Sequence, residues 1–180
     1  VNNLHRGIEE DQFQLHFQPI MDMEEQLAGG EALLRWHHPE LGMIPPGYFI
    51  PLAEETGLIA PLGRLGILAA CRLLERLEQH GNTNCTIAVN LSPKQIRDSN
   101  LVADVDALLE ASRIDPGRLE LEITESGLMS DPSGLARIQA LRDRGIRFSI
   151  DDFGTDFSSL ARLKTLPIDK LKIDRSFVSK

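Results

Sequence analysis

A chain of 180 residues with 42% hydrophobic and 26% charged residues has the length and composition of one globular domain able to bury a real core. Its net charge of −8 argues against a nucleic-acid polymer or an anionic membrane surface as partner, because both need a basic footprint to release counterions. No apolar run approaches a membrane span and the N-terminus lacks the basic and apolar regions of a signal peptide, so a cytoplasmic location is expected.

Phe13, Leu15 and Phe17 alternate with polar residues and lead into Gln18-Pro19-Ile20. After the acidic loop at Asp22 to Glu25, a second apolar run from Leu27 to Leu34 predicts a hairpin; pairing Asp22 with Leu27 places Gln18 opposite Glu31, a match that a one-residue slip would break. Trp36 to Pro51, with Pro45-Pro46-Gly47, reads as a structured loop. Helical spacing of Leu62, Leu65, Leu68, Ala69, Leu73 and Leu77 predicts a helix from Pro61 to His80, ended by Gly81. Thr86 to Leu91 reads as a strand; Ser92 then supplies an N-cap, with Pro93 at the first helical position and Gln95 completing a capping box.

Leu101, Val105 and Leu108 mark a further helix, Arg118 to Thr124 a strand, and Asp131-Pro132 the start of a helix carrying Leu135, Ile138 and Leu141. In Ile146 to Gly154 the apolar Ile146, Phe148 and Ile150 alternate with Arg147, Ser149 and Asp151, which is the period of a strand with one apolar face. Phe157 to Leu163 is expected as a short helix and Ile168 to Ile173 as the last strand. Strands alternating with helices after the hairpin predict a parallel sheet with right-handed crossovers. Cys71 in a helix and Cys85 before a strand read as two buried thiols rather than a disulfide.

Strand phase points to chemistry. The apolar faces of the strands can meet a helix layer, whereas the opposite faces carry Asn90, Glu122, Asp151 and Lys172 near their carboxyl ends, with Glu31 in a comparable place. An open sheet presents such a row to water, whereas a barrel gathers it into one pocket, at the face where barrel enzymes work. Hard oxygen donors without Cys or paired His suit magnesium or manganese better than zinc. Two such ions sharing Asp151 can polarise a phosphodiester and generate hydroxide at neutral pH. Lys172 then either assists the water or forms an ordinary salt bridge in an acidic pocket. Asp152-Phe153-Gly154 matches the kinase metal-binding tripeptide, but no glycine-rich phosphate loop accompanies it. His37-His38 is expected in a loop, with solvated side chains.

Glu31-Ala32-Leu33-Leu34-Arg35-Trp36, Asn90-Leu91-Ser92, Glu122-Ile123-Thr124-Glu125, Asp151-Asp152-Phe153-Gly154-Thr155 and Leu171-Lys172-Ile173-Asp174 stand in the order seen in the EAL domain. Gln18-Pro19-Ile20 and Phe49-Ile50-Pro51-Leu52-Ala53-Glu54 also fit, so the chain resembles that family over essentially its whole length. The resemblance implies an α/β, TIM-barrel-like EAL fold with one antiparallel strand. It implies hydrolysis of cyclic dimeric GMP to linear pGpG in bacterial second-messenger signalling, with Mg2+ or Mn2+ as a pair of ions. By the same resemblance Glu31, Asn90, Glu122 and Asp151 hold the first ion, and Asp151 and Asp152 serve the second. Lys172 contacts the nucleophilic water, which puts Lys172, Asp152 and Glu31 in the catalytic set. Gln18 and Arg35 bind substrate, Arg35 through a phosphate. Glu125 braces the loop after Asp152, a loop tied in this family to dimerisation.

A homodimer fused to sensory or GGDEF-type domains is the implied context, cytoplasmic or as the cytoplasmic part of a membrane-anchored protein. Two departures stand out: Asp156 occupies a position where the family usually has Gly, and residues 1–180 end after about six of eight strands, before the family's further catalytic Glu. The expectation is an EAL domain lacking its C-terminal part, inactive as an isolated piece. The rival reading is a non-hydrolysing receptor for the same dinucleotide. Such receptors usually lose metal ligands, whereas every ligand position within this chain is filled, which favours the enzyme.

Overall fold

The computed structural model describes residues 2–124, 132–153 and 166–173, with the side chains of Pro132 and Asp152 outside that description. The expected helix from Phe157 to Leu163, together with Glu125 and Asp156, lies outside the described residues. The chain opens with α1 (Asn2–Glu9), β1 (Phe13–Met21), β2 (Leu27–His38) and β3 (Gly42–Ile44), followed by α2 (Pro46–Thr56) and α3 (Ile59–Gln79). It continues through β4 (Thr86–Asn90), α4 (Pro93–Arg97), α5 (Leu101–Ser112), a 3-10 turn at Pro116–Arg118 and β5 (Leu119–Thr124). The last described elements are α6 (Pro132–Arg142), β6 (Arg147–Phe153) and β7 (Lys170–Ile173).

The seven strands among the described residues form one sheet in the order β1-β2-β4-β5-β6-β7, with β3 attached to β2. β1 and β3 run antiparallel to β2, and every later pair is parallel, as strand and helix alternation predicts. Gln18 does lie opposite Glu31, but the register shifts after Ile20, so Leu27 pairs with Met21 and not with Asp22. The reason is local: Asp22 is committed to the turn, where its Oδ1 accepts from the N–H groups of Glu24 and Gln26, both at 2.9 Å.

The segment expected as a loop contains the rest of β2, the β3 hairpin and most of α2. Pro46 takes the first helical position, where its missing N–H costs nothing, and burial of Phe49 and Ala53 gives the helix a reason to form. Pro51 is tolerated inside α2 on an exposed face. Helix α3 likewise begins two residues before Pro61, which sits in the first turn, where helix N–H groups are unpartnered in any case. His38 is buried rather than solvated: its Nδ1 accepts from the N–H groups of Glu40 (3.2 Å) and Leu41 (3.3 Å) and so holds the β2–β3 turn. β7 starts at Lys170 instead of Ile168, because Asp169 accepts from Arg142 (2.7 Å) and from the Phe148 N–H (2.9 Å).

The larger core lies between the sheet and α3, α5 and α6, and includes Ile87, Val89, Leu119, Leu121, Ile123, Phe148 and Ile150 from the strands. A smaller one gathers Leu4, Trp36, Phe49, Ala53, Ile59 and Leu62, with Phe13 stacked on Trp36 at 5.3 Å. Cys71 and Cys85 are both buried free thiols, as expected. At the amino ends of the strands, buried Arg118 donates to Asn82 O (2.9 Å), Cys85 O (3.1 Å) and Glu78 Oε2 (3.2 Å). This explains why Arg118 belongs to the turn before β5 and not to the strand.

The join between β2 and β4 depends on the absence of a side chain at Gly29, where a Cβ would lie 2.2 Å from the Thr86 carbonyl oxygen. Gly29→Ala is therefore expected to lower the unfolding free energy by about 1–3 kcal/mol, the usual cost of overpacking. Gly47→Ala, where a Cβ meets nothing within 4 Å, should instead stabilise by about 0.4–1 kcal/mol. Urea denaturation of the two variants reads both signs.

Candidate active site

The parallel register brings one polar side chain from each of several neighbouring strands to the same end of the sheet. Lys172 is the hub: its Nζ lies 2.8 Å from Glu122 Oε2, 3.2 Å from Asp151 Oδ1 and 3.3 Å from Glu31 Oε2. Asn90 Nδ2 donates to Glu31 Oε1 at 2.9 Å, and Gln18 faces Glu31 in the β1–β2 register. The structure thus brings together Glu31, Asn90, Glu122, Asp151 and Lys172, with Gln18 alongside. The side chain of Asp152 and all of Glu125 lie outside the described residues.

Each placement follows from strand phase. On β5 the odd-numbered Leu119, Leu121 and Ile123 enter the helix-side core, which turns Glu120 and Glu122 to the other face. Both glutamates are nonetheless buried. Glu120 receives Lys170 at 3.2 Å, so β5 and β7 carry two successive ion-pair rungs, Lys170 with Glu120 and Lys172 with Glu122. The lower rung was not singled out from sequence, although the same period-two alternation places both residues on that face.

Among the described residues three carboxylates meet one ammonium, an excess of negative charge. Burial pushes the Glu122 carboxyl up to about 7, against the opposing pull of Lys172, and Glu31 and Asp151 push it the same way as burial. For Lys172 burial works downward, but the hydrogen bond and charge of Glu122, helped by Glu31 and Asp151, outweigh it and raise its pKa. Lys172 therefore stays an ammonium, a donor and a charge rather than a base.

Glu122 Oε1 is buried and finds no hydrogen-bond partner among the described residues. Among those residues no three His, Cys, Asp or Glu side chains are already grouped about one ion position, since the acids close on Lys172 instead. The donor chemistry nevertheless fits a hard divalent cation: oxygen ligands, surplus negative charge and an unsatisfied buried carboxylate oxygen.

Beside the cluster lies a mainly apolar cavity of about 340 Å³ whose rim includes Arg35, Glu54, Asn90, Ser92 and Thr124, with Ile50 in its wall. Half-buried Arg35 makes one hydrogen bond among those described, Nη1 to its neighbour Leu34 O at 2.9 Å, which leaves donors for a ligand. The loop expectation ends at Pro51 and so covers Ile50 but not Glu54; the helix that brings both to the cavity is signalled in the sequence only by Pro46, a residue suited to a first helical position.

The family model of the EAL domain matches residues 1–180. The chain belongs to the EAL domain family. It is 42% identical over 181 residues to the bifunctional diguanylate cyclase/cyclic di-GMP phosphodiesterase MucR of Pseudomonas aeruginosa, covering 99% of this chain and 26% of MucR. It is 40% identical over 177 residues to the cyclic di-GMP phosphodiesterase NbdA of the same organism, covering 97% of this chain and 23% of NbdA. The chain therefore spans about a quarter of the length of these relatives.

Among solved structures, the MucR phosphodiesterase in complex with c-di-GMP superposes with a TM-score of 0.92 at 43% identity, over 98% of this chain and 72% of that one. The fold is accordingly the TIM-barrel-like α/β arrangement of EAL domains, with six strands in succession and the first antiparallel. No helix among the described residues is long and apolar enough to cross a membrane.

Among the described residues Lys172 is the cation that offsets part of the negative charge of the EAL cluster. Lys172→Met is expected to cost stability, somewhat below the about 3–5 kcal/mol of breaking a fully buried ion pair, because 25% of the Lys172 side chain is exposed. Lys170→Met should cost less, since that side chain is 44% exposed. Chemical denaturation in the presence of a chelator checks the order; equal losses would show that Lys172 is not the hub.

Proposed function

We propose that this EAL domain is the catalytic part of a metal-dependent phosphodiesterase that hydrolyses cyclic dimeric GMP to linear pGpG. The observation that carries the reading is the convergence of Glu31, Glu122 and Asp151 on Lys172, with an unpartnered Glu122 oxygen, at the carboxyl ends of the strands. The names of MucR and NbdA, both about 40% identical to this chain, support the same substrate. Phosphodiesterases of this family are generally metal-dependent.

In this reading Glu31, Asn90, Glu122 and Asp151 hold one Mg2+ or Mn2+, and Asp151 with Asp152 holds a second. Such ions, when bound, would supply Lewis acidity toward the phosphodiester and a lowered pKa for bound water. The rest falls to the protein. Arg35 binds a non-bridging phosphate oxygen through its free N–H groups, and Gln18 steadies the nucleotide from β1. The apolar cavity behind Arg35 shelters a flat base, which takes the substrate out of water and orients the phosphate over the acids. Lys172, kept charged by its three acids, donates to the attacking water and offsets negative charge as it develops.

Glu125 braces the loop that follows Asp152. The protein works as a cytoplasmic homodimer joined to sensory or GGDEF-type domains, in keeping with the greater length of its relatives.

Product analysis on the full-length protein with Mg2+ or Mn2+ tests the activity. Asp151→Asn should remove most turnover while the circular dichroism spectrum and melting temperature stay near those of the parent, because charge is lost at constant size. Lys172→Met should lower kcat by about 10²–10⁴-fold with KM little changed, the signature of a group acting on the proton-bearing water. Tight binding of the dinucleotide with no pGpG formed would overturn the enzyme in favour of a receptor. Undiminished turnover by Asp151→Asn at saturating metal would remove Asp151 from the ion site.

A further inference from the structure

Asn90 is the one neutral ligand in the proposed ion set, and β4 ends on it, so its orientation depends on the turn that follows. Beyond Asn90 the Leu91 N–H still donates to Glu122 O at 2.8 Å, which ties the chain to β5 for one residue more. Ser92 then turns the backbone through a reciprocal cap. Its Oγ accepts from the Gln95 N–H at 3.3 Å, and its own N–H donates to Gln95 Oε1 at 3.0 Å. Lys94 adds a tie to α2 by donating to Glu54 O at 2.7 Å.

A capping box alone asks little of Gln95, since an exposed side chain can close it. Here Gln95 is only 5% exposed, and its amide lies on the backbone of α3 at Gly63. A Cβ at Gly63 would fall 1.7 Å from Gln95 Nε2 and 2.8 Å from Cδ, so the bare helix surface is a seat for that amide. The seat couples a rigid, 21-residue helix to the turn that carries a site residue.

We infer that Gln95 is a positioning residue for Asn90: seated on Gly63, it fixes the Asn90–Ser92 turn against α3 and so aims the Asn90 amide at Glu31 across the site. The inference deepens the phosphodiesterase reading and rests on it for the part Asn90 plays in ion binding. Groups that orient a metal ligand from behind typically change affinity by about 10–100-fold when removed.

The test uses Gln95→Ala, Gly63→Ala and the double variant in the full-length protein. The control is Asp115→Ala, which removes the cap accepted from the Gly117 N–H at 2.9 Å, at the opposite end of the sheet. Mn2+ affinity by calorimetry, kcat and KM, and the side-chain amide signal of Asn90 in metal-free protein by NMR are the readouts. Both single variants should weaken Mn2+ by about 10-fold or more, shift the Asn90 signal and lower kcat more than KM. The double variant should lose no more than Gln95→Ala, because an Ala at 95 leaves room for the new Cβ at 63.

Asp115→Ala should lower the melting temperature without moving either the Mn2+ affinity or the Asn90 signal. An unmoved Asn90 signal in Gln95→Ala, with stability lost as in the control, would reduce Gln95 to a helix cap and overturn the inference. If the parent protein binds no Mn2+ and makes no pGpG, the phosphodiesterase reading falls, and the Asn90 signal still decides whether Gln95 positions the turn.

Discussion

The structure depends on one electrostatic constraint: acids drawn from separate strands must share a partly desolvated space, and a cation has to hold them there. Lys172 does so from β7, within 3.3 Å of oxygens from β2, β5 and β6. Ion pairs removed from water seldom stabilise a fold much, because desolvation offsets the attraction. A cluster with more acid than base, and with a buried oxygen left over, is therefore better understood as a device for binding than as a device for folding. Its natural complement is a further positive charge, which a divalent ion supplies together with the phosphate chemistry proposed here.

The remainder of the domain keeps that cluster in register. The sheet's other face is nearly continuous hydrocarbon, packed on α3, α5 and α6, so a slip of one residue in any strand would exchange acids for leucines and isoleucines. At the amino ends of the strands Arg118 fastens the turn before β5 to the loop before β4. At the carboxyl ends the fastening is finer: a capped turn after Asn90, an amide seated on Gly63 and a lysine reaching α2. Rigid support lies under the chemistry, and the mouth of the site is walled by α2, whose Ile50 and Glu54 line the cavity beside Arg35.

Local chemistry misled the sequence reading where two causes competed. Prolines at positions 45, 46 and 51 argue for a loop, yet α2 forms because Phe49 and Ala53 bury and because Pro46 can begin a helix. His38 carries a polar ring, but its Nδ1 is worth more closing the β2–β3 turn than facing water, and the ring packs edge-on against Trp36 at 5.6 Å. Asp22 lies in the acidic loop as expected, but its pairing with Leu27 does not form, since a short carboxylate can accept the backbone N–H groups of Glu24 and Gln26, which no strand partner would satisfy.

What the sequence determined by itself is the alternation: leucine and isoleucine on one face, Glu31, Asn90, Glu122, Asp151 and Lys172 on the other, at the ends of strands joined by helices. That pattern is local and periodic, so it survives without knowledge of any neighbour. Family membership was legible for the same reason, in short motifs kept in order along the chain. The tertiary structure decided which of those groups touch. That Lys172 contacts acids from three strands at once, that one oxygen of Glu122 is left without a partner among the described residues, and that Gln95 rests on Gly63 all depend on the stagger of strands far apart in sequence. No single-strand period encodes that stagger; it is set by how the sheet curls to cover the apolar faces of α3, α5 and α6.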